Sequence, residues 1–318
     1  MHTLLPTRSH LGLLVGVAML ILLTTLPFIS NEMWLTIGIR LLIAAFFATG
    51  YNLCFGYMGT LSLAHGAFFG VGAYTVAFLC AKTSWPFFVV LAPAPVAAAG
   101  FALIVGYFSF RLGSLFFALL TLAFGQLFWI LIWKAYNITG GEYGLLIGEY
   151  IPDALKSSTG LYYFVLTAVI ISIFIIRKIV DSPFGRTLLA IRENEERVEF
   201  LGVNVKRCQL IAFVISGFFS GLAGALLTIF SLAAFPDYAH WIKSVEPVMA
   251  CLLGGIHVFV GPAIGAAIML LLEHLVLNVT VHWQLVLGGI VLLVIFFLPD
   301  GVVGFLAERL PVKKKLGQ

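Results

Sequence analysis

"GTLSLAHGAFFGVGAYTVAFL", residues 59–79, is a run of apolar and small residues that contains one histidine and no Asp, Glu, Lys or Arg. About twenty such residues carry a helix across roughly 30 Å of hydrocarbon. Ser62, Gly66 and Gly70 fall four apart, which predicts one shared helix face with Ala73 and Ala77 close by. Small residues on one face let helix backbones approach closely where lipid removes the hydrophobic drive for association. The run therefore reads as a transmembrane helix made for tight packing.

The rest of the chain extends that reading. Of its 318 residues, 61% are hydrophobic and 10% charged, whereas about a quarter of a soluble domain is charged. Apolar runs recur at 11–29, 33–55, 61–81, 87–109, 114–133, 161–176, 210–230, 245–276 and 283–298. They lack the period-two alternation of a transmembrane barrel, and in lipid a helix satisfies its own backbone. The expected fold is an all-α polytopic membrane protein of about ten transmembrane helices, one transmembrane domain over 1–318. Residues 11–29 are longer than a signal-peptide core and lack a small-x-small cleavage site, so they read as a retained first helix.

The stretch 245–276 is too long for one ordinary crossing and is broken by Gly254-Gly255 and Gly261-Pro262. It reads as two short crossings or as one crossing plus a re-entrant piece. Charge bears on the choice, because cytoplasmic loops carry the excess Lys and Arg. "SPFGRTLLAIRENEERVEFLGVNVKR", residues 182–207, is the most basic internal loop, with Arg177 and Lys178 before it, and is expected inside. The loop 135–160, with Glu142, Glu149 and Asp153 against Lys156, is expected outside. Arg8 then lies inside, and two crossings at 245–276 bring Arg309, Lys313, Lys314 and Lys315 inside as well. Ten crossings with both termini cytoplasmic is the favoured count.

A second pair of small-residue rows lies in "SGFFSGLAGALL": Ser216, Ser220 and Gly224 in one, Gly217, Gly221 and Ala225 in the next. Gly261 and Gly265 give a third case. Taken singly these are packing residues; taken together with the helix breaks they suit a permeation path. Arg40 and His65 are ionisable groups inside spans, where such groups face a cavity or a partner. His65 reads either as path-lining or as a neutral packing residue, and Arg40 either as path-lining or as satisfied by snorkelling or by a carbonyl. Glu273 and His274, near a span end, are explained by an interfacial position. Cys54, Cys80, Cys208 and Cys251 are scattered and read as core residues, not metal ligands or a disulfide framework. No P-loop, H-E-x-x-H or G-x-S-x-G motif occurs, and no acidic series along the spans suggests a proton relay. The chain is expected to be a non-enzyme that binds no cofactor.

Five ordered blocks carry a family resemblance: "NLCFGYMGTLSLAHGAFFGVGAYT" (52–75), "FFALLTLAFGQL" (116–127), "TGGEYGL" (139–145), the charged island continued to 226, and "LLGGIHVFVGPAIGA" (252–266). Together they resemble LivM-type permeases, the membrane subunits of branched-chain amino acid ABC importers. The resemblance implies a bacterial inner-membrane location, a LivH-type permease partner, cytoplasmic ATP-binding subunits that use the ATP, and a separate extracytoplasmic substrate-binding protein. Surrounding lipid is the only other partner expected, with no nucleic acid. It also implies that 178–209 is the ATPase-coupling loop, with Arg186, Arg192, Glu193, Glu195, Glu196, Arg197, Glu199 and Gly202 as its candidate residues. Leu188, Leu189 and Ile191 are expected to offer apolar contacts to the ATPase, and Gly202 suits a helix stop. Thr60, Ser62, His65, Gly66, Gly70, Ser216, Ser220, Gly224, Gly254, Gly255, Gly261 and Pro262 are the candidates for the path or its packing. Outside loops 139–145 and 235–244 are expected to meet the binding protein. Two departures from the family pattern stand out: Arg197-Val198-Glu199-Phe200 replaces small residues after the acidic cluster, and Thr60 replaces a glutamine. Alternatives are a same-family permease for urea, short amides or aromatic acids, and a self-sufficient secondary transporter.

Overall fold

The computed structural model describes residues 23–25, 27, 31–147, 150–277, 282–298 and 300–309. Arg8, most of the expected first span, Glu149 and the tail lysines Lys313, Lys314 and Lys315 lie outside the described residues.

Helix α1, Glu32–Asn52, continues into a π-helical turn, Leu53–Tyr57. Helix α2 is His65–Lys82, and α3, Pro93–Ser109, follows a short turn at Phe87–Leu91. Helices α4, Ser114–Lys134, and α5, Ser158–Asp181, follow. Two short helices, α6 at Pro183–Glu193 and α7 at Glu195–Phe200, lead into α8, Val205–Ser231. Helices α9, Trp241–Gly254, α10, Gly261–Leu277, α11, Trp283–Phe297, and α12, Gly301–Arg309, complete the described chain. Among the described residues, five helices are long and apolar enough to cross a membrane: α1 with its π turn, α3 with the turn before it, α4, α5 and α8. The chain is an all-α polytopic membrane protein.

Local chemistry sets the ends around the charged island. Ser182 accepts a hydrogen bond from the Gly185 amide with Pro183 in the first turn of α6. Asn194 accepts from Arg197 at 2.8 Å to start α7, and Asn204 from Arg207 at 3.0 Å to start α8. Between them Gly202 takes φ 85°, a left-handed turn that a side chain disfavours.

Helix α8 is the hub: Gly224 of one small-residue row faces α2, and Gly221 of the other lies between α2 and α3. A Cβ on Gly224 would overlap the Phe69 carbonyl on α2, and one on Gly72 of α2 would overlap the Gly221 carbonyl. In the adjacent row, Gly217 and Gly221 meet Ala102 and Ala98 of α3. Backbone thus lies against backbone on two sides of one helix, the arrangement that small residues permit in lipid.

The sequence expectation needs correction at one helix start. Helix α2 begins at His65, not 61, because residues 58–64 run as an irregular segment that turns at Gly59 with φ 78°. Ser62 is therefore not on a helix face with Gly66 and Gly70; its carbonyl instead accepts from the Tyr51 hydroxyl at 3.2 Å. Its hydroxyl accepts from the Ala64 amide at 3.3 Å.

The stretch 245–276 belongs to an antiparallel hairpin of α9 and α10. Gly254 lies against Gly261, and Gly265 against the Ala250 carbonyl, so the two helices touch through bare backbone. The chain reverses at 255–260, where Gly255 takes φ 108°. Helix α9 has 14 residues, with Pro247 inside it, which makes it ~21 Å long and shorter than a full crossing.

Candidate translocation and coupling sites

His65 is fully buried at the start of α2. Its Nε2 lies 2.8 Å from the Ser216 hydroxyl, which donates to the Gly50 carbonyl at 2.8 Å. Its Nδ1 lies 3.1 Å from Ser62 Oγ. Because Ser216 spends its proton on Gly50, the arrangement that satisfies every group has Nε2 donating and Nδ1 accepting, a neutral ring. The rings of Tyr51, Phe68 and Phe213 pack edge-on around it. Through these contacts His65 fastens α1, α2 and α8 to one another. Ser216 belongs to the same knot, and Ser220 bonds back to the Ser216 carbonyl at 2.8 Å.

Gly66 and Gly70 face a different segment. The Gly66 amide donates to Ser244 Oγ at 2.7 Å, and Ser244 donates to the Leu63 carbonyl at 2.7 Å. A Cβ on Gly70 would press on Ala239. The segment 235–244 is therefore only partly a surface loop: Ala239 and Ser244 are buried against α2. The small residues of α2 account for this, since they leave room for a chain that dips into the bundle.

At the end of the bundle that carries α6 and α7, three distant segments meet. Arg192 Nη1 donates to the Gly56 carbonyl at 2.5 Å, and Nη2 lies 3.3 Å from His257 Nε2. Gly59 packs against the Arg192 stem, so a Cβ there would crowd it. Half-burial pulls the Arg192 pKa down, opposed by the charge of Glu193. The Asn52 amide donates to the Ile256 carbonyl at 3.4 Å, and the Arg177 guanidinium sits 4.9 Å over the Phe259 ring. Thr60 is here too, its amide bonded to the Cys54 carbonyl at 3.1 Å and away from the cavity described below. The π turn and the 255–260 break are thus gripped from α5 and α6.

The apolar side of α6 differs from expectation. Leu188 and Ile191 are buried against the bundle and Leu189 is half-buried, so they are not offered outward. An amphipathic helix covers its apolar face with whatever apolar surface is near, and the spans supply it. What remains exposed is Arg186, Glu193, Glu195, Glu196, Arg197 and Glu199, together with Phe200 at 90% and Leu201 at 78% exposure.

A cavity of about 640 Å³ opens between α1, α9 and α10 and the end of α8. Arg40, Lys243, Glu246, Glu273 and His274 line it, with Phe47, Phe69, Leu227, Met249 and Met269 among its apolar walls. Lys243 pairs with Glu246 at 2.6 Å, and Arg40 faces the Phe230 ring at 5.8 Å. Sequence reasoning does not single out Lys243, which falls in the expected loop 235–244, or Glu246, which falls at the start of the apolar run 245–276. Glu273 and His274 were assigned to the interface, since the meeting of α10 with α1 is not written in either helix. Gly254, Gly255, Gly261 and Pro262 lie in the hairpin and its turn and are not in this lining.

At the opposite end of the bundle from α6, residues 139–145 fold around three left-handed glycines, Gly140, Gly141 and Gly144. Leu145 and Leu146 pair with Ala234 and Ala233 in a two-residue antiparallel ladder. Tyr143 stands out from it at 78% exposure. Nearby Asp153 bonds Lys156 at 2.7 Å, and that hydrogen bond and charge hold its carboxyl below the ordinary value.

Residues 12–296 match a family model described as the branched-chain amino acid transport system permease component. The chain is 28% identical to the high-affinity branched-chain amino acid transport system permease protein LivM of Escherichia coli (strain K12), over 93% of this chain and 76% of that protein. Its identity to the protein of the same description from Salmonella typhimurium is 27%, with the same coverage. A shorter likeness, 30% over 36% of this chain and 38% of the relative, is to the ribose import permease protein RbsC of Haemophilus influenzae. No solved structure matches the chain significantly.

Proposed function

The chain belongs to the branched-chain amino acid transport permease family, and from that membership we propose that it carries branched-chain amino acids inward across a bacterial cytoplasmic membrane. It is a multi-pass transport subunit of an ABC importer, not an enzyme. In this reading it pairs with a LivH-type permease and receives substrate from an extracytoplasmic binding protein. Cytoplasmic subunits bind and hydrolyse the ATP, and this chain itself binds none. The α6–α7 end is cytoplasmic, as are both termini, and α6–α7 is the surface on which an ATPase subunit acts.

The observation that supports it best is the reach of Arg192 from α6 to Gly56 and His257. A push on α6 then acts on the π turn at the end of α1 and on the turn of the α9–α10 hairpin. Both are irregular backbone, where a helix changes path more readily than in its regular turns. The exposed Phe200 and Leu201 supply an apolar contact, with acidic and basic side chains around them as a rim.

The test is uptake by liposomes that hold this chain with its permease partner, ATPase subunits and binding protein. ATP-dependent accumulation of leucine, isoleucine or valine is expected, with none when the ATPase subunits are omitted. Uptake that persists unchanged without them would instead indicate a self-sufficient transporter. If the binding protein carries urea, an amide or an aromatic acid and not a branched-chain amino acid, the substrate assignment moves to that solute.

A further inference from the structure

The cavity between α1, α9 and α10 carries opposite charges in a region otherwise built of apolar helices. We propose that it is a binding site for a zwitterionic α-amino acid with an apolar side chain, Arg40 taking the carboxylate and Glu273 the ammonium.

The charges are matched but not all paired. Lys243 and Glu246 satisfy each other at 2.6 Å. Among the described residues, Arg40 and Glu273 have no ion pair within 4.0 Å, although Glu273 lies in the field of Arg40 and of the Lys243–Glu246 pair. Glu273 is half-buried and Arg40 stands exposed at the cavity's edge; charges left unpaired on apolar spans are costly and mark a ligand route or a partner. A simple cation would neutralise Glu273 and leave Arg40, and an anion would do the reverse. One ligand with both signs on adjacent atoms neutralises both walls and adds no net charge. A hydrocarbon chain of a lipid would neutralise neither.

Beneath the charged rim the walls turn apolar. From Arg40 the cavity follows α1 to Ala48, a descent of ~12 Å. Phe47, Phe69, Leu227, Met249 and Met269 supply surface for an aliphatic side chain, and methionine adapts to several branched shapes. The volume lies within the usual range of small-molecule sites, about 300–1,000 Å³. A sugar would find few hydroxyl partners here, since most of the lining is apolar.

This inference rests on amino acid import by the complex and is tested in the complete importer in liposomes. A Met269→Cys reporter is labelled with a small water-soluble thiol reagent, and labelling is compared with that of the parent complex. Leucine is expected to slow labelling several-fold. The same concentration of 4-methylpentanoate, which lacks the ammonium, or of 3-methylbutylamine, which lacks the carboxylate, is expected to leave it unchanged. Adding Arg40→Gln removes the leucine effect, whereas Arg40→Lys keeps part of it. An Ile37→Cys reporter nearer the rim gives the same comparison if Met269→Cys does not assemble. Equal protection by all three compounds, or by none, in a complex that imports leucine overturns the cavity assignment alone. A wild-type complex that imports no α-amino acid overturns both this assignment and the transport reading.

Discussion

Arg192 on α6 donates to the carbonyl of Gly56, 136 residues earlier in the chain, at 2.5 Å. That carbonyl belongs to a π turn, where the regular helical ladder is interrupted and an acceptor is left for an outside donor. The same guanidinium lies 3.3 Å from His257 in the turn of the α9–α10 hairpin. One side chain therefore links the external helix to two irregular points of the bundle. Arg192→Ala is expected to cut ATP-driven uptake by roughly 10- to 100-fold, since a hydrogen bond to a charged group is worth about 1.5–3 kcal/mol. Arg192→Lys restores little, because one ammonium cannot span both contacts as a guanidinium fork does. Co-purification of the ATPase subunits, measured alongside, should stay near wild type, because Arg192 points into the bundle.

Two glycine substitutions should differ in sign. At Gly72 any Cβ overlaps the Gly221 carbonyl, which is backbone and cannot step aside, so Gly72→Ala forces α2 from α8. At Gly100, inside α3, a Cβ meets nothing within 4 Å. Gly100→Ala should be neutral or stabilise by about 0.5–1 kcal/mol, while Gly72→Ala lowers the midpoint of thermal unfolding in detergent and the yield. Equal midpoints for the two variants would show that the α2–α8 contact is looser than described.

His65 offers a test of packing against path. His65→Ala leaves the Ser62 and Ser216 hydroxyls short of a partner inside the core, at a loss of about 1–3 kcal/mol per unsatisfied group. His65→Asn, which both donates and accepts, should recover part of that. Thermal unfolding is the measure of the loss. The KM for leucine, measured on whatever complex assembles, should not move. A large KM change at normal stability would return His65 to the path.

The small-residue rows of α8 were legible in the sequence because a four-residue spacing places them on one face whatever surrounds them. That Gly221 sits between α2 and α3 was not, because that depends on the neighbours. The apolar run at 59–79 showed a crossing but hid its start, since Leu61 and Leu63 suit an irregular buried segment as well as a helix; Ser62 was misplaced for that reason. The apolar face of α6 was visible too, but periodicity says that a face is buried and not against what. Leu188 and Ile191 turned inward as a result. The charged cavity needed residues 40 and 273 to meet, a relation between helices that neither helix records.

Phe200 and Leu201 are large apolar side chains left in the open beside the acidic residues of α7. Surface apolar groups ringed by charge are a common mark of a protein contact. Phe200→Asp is expected to weaken retention of the ATPase subunits on the purified permease and to lower uptake in parallel. Its thermal unfolding in detergent should stay unchanged, because nothing in the bundle rests on this side chain. Charge reversal at Glu195 and Glu196 should act in the same direction. Intact retention in both variants would move the contact elsewhere on the α6–α7 surface.

The orientation of the chain is tested at two exposed positions at opposite ends of the bundle. Tyr143 projects from the glycine-rich loop that is laddered to 233–234, and Leu201 projects from the turn before Gly202. The excess of arginine and lysine lies on the Leu201 side, which the positive-inside tendency assigns to the cytoplasm. In intact cells a membrane-impermeant thiol reagent should therefore label Tyr143→Cys and spare Leu201→Cys until the membrane is opened. The native Cys54, Cys80 and Cys251 are buried, and Cys208, half-buried at the start of α8, is replaced by serine in every variant to keep background labelling low. The hairpin gives the experiment a second use. Because α9 and α10 reverse at 255–260 beside Arg192, a cysteine at Val260, exposed in that turn, should behave like Leu201→Cys. Labelling of Val260→Cys from outside would mean that the hairpin enters from the other face, and the Arg192 contact could not then link it to a cytoplasmic helix.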